Sequence, residues 1–435
     1  MSNFVLYIEQ WVMVSQEIIK EIILENRTEV MRHRVIPRNV RLDEFDRQVL
    51  VGIRRAGKSY ILYGRIQELI REGYTWDDMV YVNFEDERLS DMKSEDLNAI
   101  LEVQGQLSTR RPMLFLDEIQ NIEGWDKFAR RLADNKYKVV ITGSNAKMLS
   151  KDVETTLGGR YMTREVFPFS FDEYLTANGI DAADVNLTAT TTGRSTLKRQ
   201  YEEYFRFGAF PECATMPVKR DYLMSLYQKV YLGDIAARHG IENIFALRVL
   251  FRKLAESVKQ PVSFTRAANI VASTGTKIAK GTVINYLDYA KEAYLILPLS
   301  NIADNLAGKI TSPKYYFIDN GIISVLSLDV RTSLLENLVA ITLLRHYGTK
   351  DRVYYYNHGV EVDFYVPDDE TAIQSCYTMD NADGTFEREV GALLKIQKHL
   401  SCRRNIIVTY DSEDVIVEKG VKIEVMPAWK FIRSF

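Results

Sequence analysis

From about residue 47 the chain alternates short apolar runs with segments of helical periodicity. Gln48 to Gly52, Met79 to Phe84, Met113 to Asp117 and Lys138 to Ser144 have strand length and few polar interruptions. Between them, Lys58–Arg71, Ser94–Leu101 and Trp125–Asp134 carry helical spacing. Runs that are apolar throughout, without in/out alternation, belong to strands covered on both faces, so the pattern predicts an α/β fold: a parallel sheet flanked by helices. Arg164 to Phe169 offers a fifth strand, followed by a helix over Phe171–Leu175.

The flanks read differently. Residues 5–30 bring Ile8, Trp11, Val12, Ile18, Ile19, Ile22 and Ile23 near one helical face, predicting an amphipathic helix that packs on the domain after it or docks a partner. The basic, proline-marked stretch Arg32–Arg38 follows. Residues 185–197 are threonine-rich and read as a linker. From 197 to about 300 the pattern is helical, with helices expected at 247–257, 263–272 and 279–292 and a strand at 294–298. Mixed strand and helix return over 311–435, with strands expected at 314–318, 353–356, 362–366 and 406–408. The expected sections are 1–45, 46–184, 197–310 and 311–435.

A chain of 435 residues exceeds one ordinary core, in keeping with several domains. The net charge of −3 gives no overall attraction to nucleic acid or anionic membrane, so a basic surface would have to be local. Cys213, Cys376 and Cys402 are widely spaced and the histidines show no metal spacing, which supports neither a disulfide framework nor a zinc site. No signal peptide is visible, and the apolar stretch Val12–Ile23 is broken by Glu17, Lys20 and Glu21. A cytoplasmic protein without a membrane span is expected.

The first chemistry-bearing motif is Gly52-Ile53-Arg54-Arg55-Ala56-Gly57-Lys58-Ser59, which satisfies G-x-x-x-x-G-K-[ST] between a strand and a helix. Glycines let such a loop wrap tightly, so that backbone N–H groups and the helix N-terminus face a phosphate. Lys58 would neutralise the β/γ oxygens and the Ser59 hydroxyl would ligate Mg²⁺. Tyr60 completes the expected nucleotide contacts.

The third apolar strand ends in the acid pair Asp117-Glu118, at the edge of a parallel sheet where ligands bind. Asp117 would hold the magnesium through its water shell, and Glu118 would polarise the attacking water. The fourth strand ends in Thr142-Gly143-Ser144-Asn145. In an ATPase whose catalytic strand neighbours the P-loop strand, Ser144, with Thr142 and Asn145 behind it, would reach the γ-phosphate or the lytic water; a simple helix cap is the alternative. Arg160, after Gly158-Gly159, either stabilises transition-state charge, in its own subunit or a neighbour's, or forms a salt bridge at the sheet edge.

Together these segments resemble the bacterial and archaeal AAA-type ATPases that carry a C-terminal restriction-endonuclease-like domain. The resemblance extends through Val82–Arg88, Phe115–Gln120, Thr142–Asn145, Gly159-Arg160 with Phe167–Phe171, Phe207–Glu212, Leu335-Glu336-Asn337 and Glu361–Phe364, nearly the whole chain. It implies ATP as the nucleotide, a helical or winged-helix section and a nuclease-like tail; the sequence has no guanine-reading N-K-x-D stretch.

Residues 245–310 hold nine Lys or Arg against four Asp or Glu. Duplex DNA is therefore a candidate partner there, through Lys277, Lys280 and Asn285, with a lid or protein dock as the alternative. The nuclease-like tail looks disarmed. Glu336 and Asp363 would supply two acids, but where Glu-x-Lys is expected the chain has Gln374 and Cys376. Glu361, Glu387 or Lys395 would have to compensate. An ATP-driven switch or machine is the leading expectation, and a DNA-associated ATPase in defence or repair the second. An oligomer follows if Arg160 acts in trans.

Overall fold

Five short strands form the first sheet: β1 (Arg47–Val51), β2 (Met79–Asn83), β3 (Met113–Asp117), β4 (Val139–Gly143) and β5 (Met162–Glu165), in the order β2-β3-β4-β1-β5. The computed structural model of the chain describes residues 14–42, 45–144, 148, 155–327, 331–379 and 384–435. These divide into two compact units, Met1–Val51 with Lys58–Arg164, and Gly52–Gly57 with Glu165–Phe435. The sections expected at 197–310 and 311–435 both fall in the second.

β2 pairs with β3, β3 with β4 and β4 with β1, all parallel. Their inner residues are almost all buried, which is what apolar runs without alternation require. The acid-bearing β3 does not neighbour β1; β4 lies between them, so Thr142 and Ser144 stand beside the acids. Helices α2 (Lys58–Arg71), α3 (Asn98–Leu107) and α4 (Trp125–Asp134) connect the strands, α2 and α4 at the bounds the periodicity predicts.

Ahead of them α1 (Gln16–Arg32) starts at Ser15, whose hydroxyl accepts the Ile18 N–H at 3.3 Å. Ile19, Ile22 and Ile23 are buried; Ile8, Trp11 and Val12 lie outside the described residues. Arg27 donates to the Trp76 carbonyl at 3.3 Å and Asn26 to that of Tyr81 at 3.5 Å, so the helix packs on the sheet section of its own unit.

In the second unit α5 (Phe171–Ala177) opens with a capping box between Ser170 and Glu173. The threonine-rich stretch is not a linker: it forms α6 (Asn186–Ala189) and the start of α7 (Thr191–Phe207). Thr190 caps α7 by accepting the Gly193 N–H at 3.0 Å, and the buried face begins only at Leu197. Threonines that look like helix breakers thus serve as a cap and a first turn. After α8 (Pro211–Ala214) and α9 (Lys219–Gln228) the backbone widens into a nine-residue π-helix, Lys229–Ala237.

Helices α10 (Ile244–Glu256), α11 (Phe264–Ser273) and α12 (Lys280–Glu292) stand close to their expected bounds. β6 (Ile296–Leu299) follows and pairs antiparallel with β7 (Lys314–Phe317), beyond α13 (Leu306–Thr311). After α14 (Asn320–Leu326) and α15 (Arg331–Tyr347) come β8 (Tyr354–Asn357), β9 (Glu361–Val366), β10 (Thr371–Ser375), α16 (Thr385–Ile396), β11 (Arg404–Thr409), β12 (Asp414–Glu418) and β13 (Val421–Pro427). These strands form a mixed sheet in the order β12-β13-β11-β10-β9-β8.

The buried side chain of Asn337 in α15 fastens β7 to that helix. It accepts the Phe317 N–H at 2.8 Å and donates to the Phe317 carbonyl at 3.0 Å and to Asn320 at 3.0 Å. Replacing Asn337 by leucine would strand both backbone groups of Phe317, and is expected to cost about 2 to 4 kcal/mol, read as a lower midpoint in urea unfolding.

Candidate functional site

β3 ends in Asp117, which is fully buried. The Tyr81 hydroxyl, from β2, donates to one oxygen at 2.8 Å, and the Thr142 hydroxyl, from β4, donates to the other. The Ser59 hydroxyl donates to it as well. Burial raises the Asp117 pKa, the neighbouring Glu118 charge adds to the rise, and the three hydroxyls pull it back.

The chain then turns through left-handed backbone at Glu118, φ 52°, a conformation that non-glycine residues hold only when surroundings fix it. Its N–H donates to the Thr142 hydroxyl at 3.0 Å, so one threonine ties both acids. The Glu118 carboxylate, nearly buried, lies 3.3 Å from the Lys58 ammonium, which is 3% exposed. The Gln120 amide nitrogen stands 2.5 Å from Glu118 and 3.5 Å from the Ser144 hydroxyl. Lys58 and Ser59 open α2, where backbone N–H groups and the helix dipole favour an anion. Among the described residues the partners of Asp117 are hydroxyls, so a divalent cation beside Ser59 would meet a carboxylate with its charge still available. The donor set fits Mg²⁺.

The preceding residues, Gly52–Gly57, group with the second unit. A side chain at Gly52 is impossible, because a Cβ would fall 2.1 Å from the Val166 carbonyl oxygen. Arg55 (φ 63°) and Gly57 (φ 94°) give the loop its left-handed turns. Arg54 pairs with Asp234 at 2.9 Å and Arg55 with Glu212 at 2.5 Å. Ile53 and Ala56 are buried. Tyr60 is half-exposed, with its hydroxyl 3.2 Å from His33 Nδ1. Alongside it runs a cavity of about 400 Å³ lined by Val35, Pro37, Arg38, Gly64 and Arg65.

Arg160 lies elsewhere. Its Nε is 2.6 Å from Asp134, and its carbonyl accepts from Arg47, the first residue of β1. It therefore sits beside Arg47 and Asp134, in the sheet-edge salt bridge that was one of its two readings. Asn145 lies outside the described residues. The sequence reading missed Tyr81 and Gln120, and the acids that hold the two loop arginines. Tyr81 sits in an apolar strand and Asp234 is 180 residues from its partner; neither pairing has a local signal.

A second acid cluster lies in the C-terminal section. Lys314, fully buried on β7, has its ammonium 3.4 Å from Glu336, 3.2 Å from Glu361 and 3.6 Å from Asp363. Tyr316 donates to Glu336 at 2.9 Å. Gln374 accepts the Asp363 N–H at 2.8 Å and donates to the Glu361 carbonyl at 3.2 Å, and Cys376 donates its thiol to the Thr378 carbonyl. Glu387 and Lys395 line a cavity of about 580 Å³ beside the cluster. The acids named from sequence do converge; the cation among them is a lysine hidden in the apolar run 314–318. Among the described residues no group of three or more His, Cys, Asp or Glu is disposed to hold a metal ion, and no helix is long and apolar enough to cross a membrane.

Residues 45–175 match the family model of an AAA domain, and residues 198–346 that of a domain of unknown function. The second match lends no support to a restriction-endonuclease-like tail. The chain is 32% identical to the uncharacterized protein MJ1544 of Methanocaldococcus jannaschii, over 97% of each chain. It is 31% identical to an uncharacterized protein of Haemophilus influenzae, over 68% of this chain and 74% of that one. Among solved structures, the Walker-type ATPase PABY2304 of Pyrococcus abyssi is similar at 16% identity and TM-score 0.39, covering 73% of this chain and 97% of that one. Cdc6p from Pyrobaculum aerophilum follows at 15% and 0.26, covering 66% and 87%. Both scores are too low to align the whole chain with either fold. The AAA match and the parallel five-strand sheet make residues 45–175 a P-loop ATPase domain.

Burial, then the Asp363 charge, pushes the Glu336 pKa up to about 7, against the pull of Lys314. An acid whose pKa rises on folding favours the fold below its unfolded value, near 4.5, and loses that contribution as pH climbs through 7. Melting temperature is expected to fall between pH 5 and pH 8, and Glu336→Gln to flatten that fall by the equivalent of roughly 3 kcal/mol at most.

Proposed function

We infer that this chain, which belongs to the same family as the uncharacterized Methanocaldococcus jannaschii protein, is an ATP-binding and ATP-hydrolysing AAA-type ATPase that works as a molecular switch or machine. The grouping of Lys58, Ser59, Asp117 and Glu118 at the edge of a parallel sheet carries this reading. Gly52, Ile53, Arg54, Arg55, Ala56 and Gly57 would present backbone N–H groups to the phosphates, and Lys58 would leave Glu118 for the β/γ oxygens. Glu118, released from that pair, would accept a proton from the attacking water, with Gln120 and Ser144 orienting it. Ser59 and Asp117 would hold Mg²⁺, whose charge offsets that of the phosphates. The cavity beside Tyr60 suits the nucleoside end. Adenine in preference to guanine rests on the family resemblance. Arg160, held by Asp134, receives no catalytic role.

Glu118→Gln is expected to keep binding of a fluorescent ATP analogue and to lower turnover by at least about 100-fold. Lys58→Ala is expected to lose binding. Hydrolysis retained by the Glu118 variant would remove the assignment.

The second reading, a DNA-associated ATPase, is favoured by the basic excess over 245–310 and by the exposure of Lys277, Lys280 and Asn285 around the start of α12. The helix order followed by the β6–β7 pair suits a winged helix there. Duplex DNA should then raise turnover, with an affinity that falls steeply as salt rises; indifference to DNA would leave the switch reading with a protein partner. For the tail we propose a scaffold without nuclease activity, because Lys314 already occupies the centre of the acids, where a metal ion would sit, and Gln374 is committed to backbone hydrogen bonds. A cytoplasmic location is part of the same proposal.

A further inference from the structure

The polar side chains of the phosphate loop ahead of Lys58 are Arg54 and Arg55, and each reaches an acid outside the loop. Arg54 lies side-on against Asp234, Nε on one oxygen at 2.9 Å and a terminal nitrogen on the other at 3.1 Å. Asp234 is 6% exposed, and Arg238, one turn on, stands 3.8 Å from the same carboxylate. Arg55 reaches Glu212, with both groups about half exposed (48% and 49%). The Tyr222 ring stands beside that pair. Solvent weakens the Arg55 pair. The Arg54 pair is bidentate and largely dry, which fixes orientation as well as distance.

Asp234 belongs to the π-helix Lys229–Ala237. A run of π geometry this long is rare, and such segments concentrate where function keeps them. The pairing thus joins an uncommon backbone feature to the loop that approaches phosphate most closely. The bidentate Arg54–Asp234 pair gives that loop a directional side-chain anchor.

We propose that Asp234 is a positioning residue for the nucleotide site: acting through Arg54, it sets the path of Gly52–Gly57 so that the loop's N–H groups meet the phosphates. Glu212 assists through Arg55. The proposal rests on the reading of Gly52–Ser59 as the ATP site. Arg54 then contributes no charge to the phosphates. A loop misplaced by a fraction of an ångström would still bind nucleotide but would hold the γ-phosphate off line.

The test is a double-mutant cycle in the full chain: Arg54→Ala, Asp234→Ala and both together. Turnover is measured at saturating ATP and Mg²⁺, and affinity with a fluorescent ADP analogue. Each single substitution is expected to lower kcat by about 100-fold while weakening ADP binding by less than about fivefold. The double variant is expected to be no slower than the worse single, because both act on one interaction. Losses that multiply in the double variant, or full turnover in Asp234→Ala, would overturn the proposal. Should Asp234→Ala fail to fold, Asp234→Asn replaces it under the same criteria, with the melting temperature followed in parallel. A kcat loss that tracks the unfolded fraction, and is regained on cooling, also overturns it. A wild-type protein that neither binds the ADP analogue nor hydrolyses ATP overturns the ATP-site reading itself, and this proposal with it.

Discussion

Taking an ionised carboxylate out of water costs several kcal/mol unless donors replace the lost solvent, and the first sheet is arranged around one such group. Asp117 is fully buried at the end of β3. The strand order gives it a tyrosine from β2 on one side and a threonine from β4 on the other. Hydroxyls can hold a carboxylate in place but cannot cancel its charge. What remains is an oriented negative centre next to the N-terminus of α2, whose positive end and Lys58 favour an anion. A carboxylate and an electropositive helix start are thereby set side by side by one strand end and one helix start. Thr142, which bonds to both acids, keeps them in register.

The Glu336 cluster solves the same problem the opposite way. There the counter-charge is covalently present: Lys314 lies within 3.6 Å of three carboxylates and is fully buried. The raised pKa of Glu336 indicates that the shared ammonium does not fully repay the burial of that one acid, which is what makes its contribution sensitive to pH. One acid centre keeps its charge on offer and the other has it answered internally. That contrast separates a site suited to a mobile cation from one suited to holding strands together.

Much of this was legible locally. The P-loop, the acid pair and the bounds of α2, β3 and α4 follow from spacing, because each is a run of residues serving one surface. The acids Glu336, Glu361 and Asp363 were also placed in one section by their motifs. What stayed hidden was pairing over long sequence separations: Tyr81 with Asp117, Lys314 with the acids, Arg54 with Asp234. Lysine in an apolar strand and aspartate in a helix each have an ordinary local reading, and only the tertiary fold brings the partner. The threonine-rich segment failed for another reason. Propensity sums over a window, whereas a cap acts at one position, and Thr190 decides the start of α7. Arg160 had two local readings, reach after its glycine neighbours or a sheet-edge salt bridge, and only the fold supplies Asp134 as its partner.

The π-helix also makes the chain's length, locally, as consequential as its composition. Successive residues of an α-helix are about 100° apart around the axis. Losing one residue between Lys229 and Asp234 would let the segment relax toward α geometry and would swing the carboxylate off the face that Arg54 occupies. Homologous chains that shorten this segment by one residue should therefore have changed the loop arginine too.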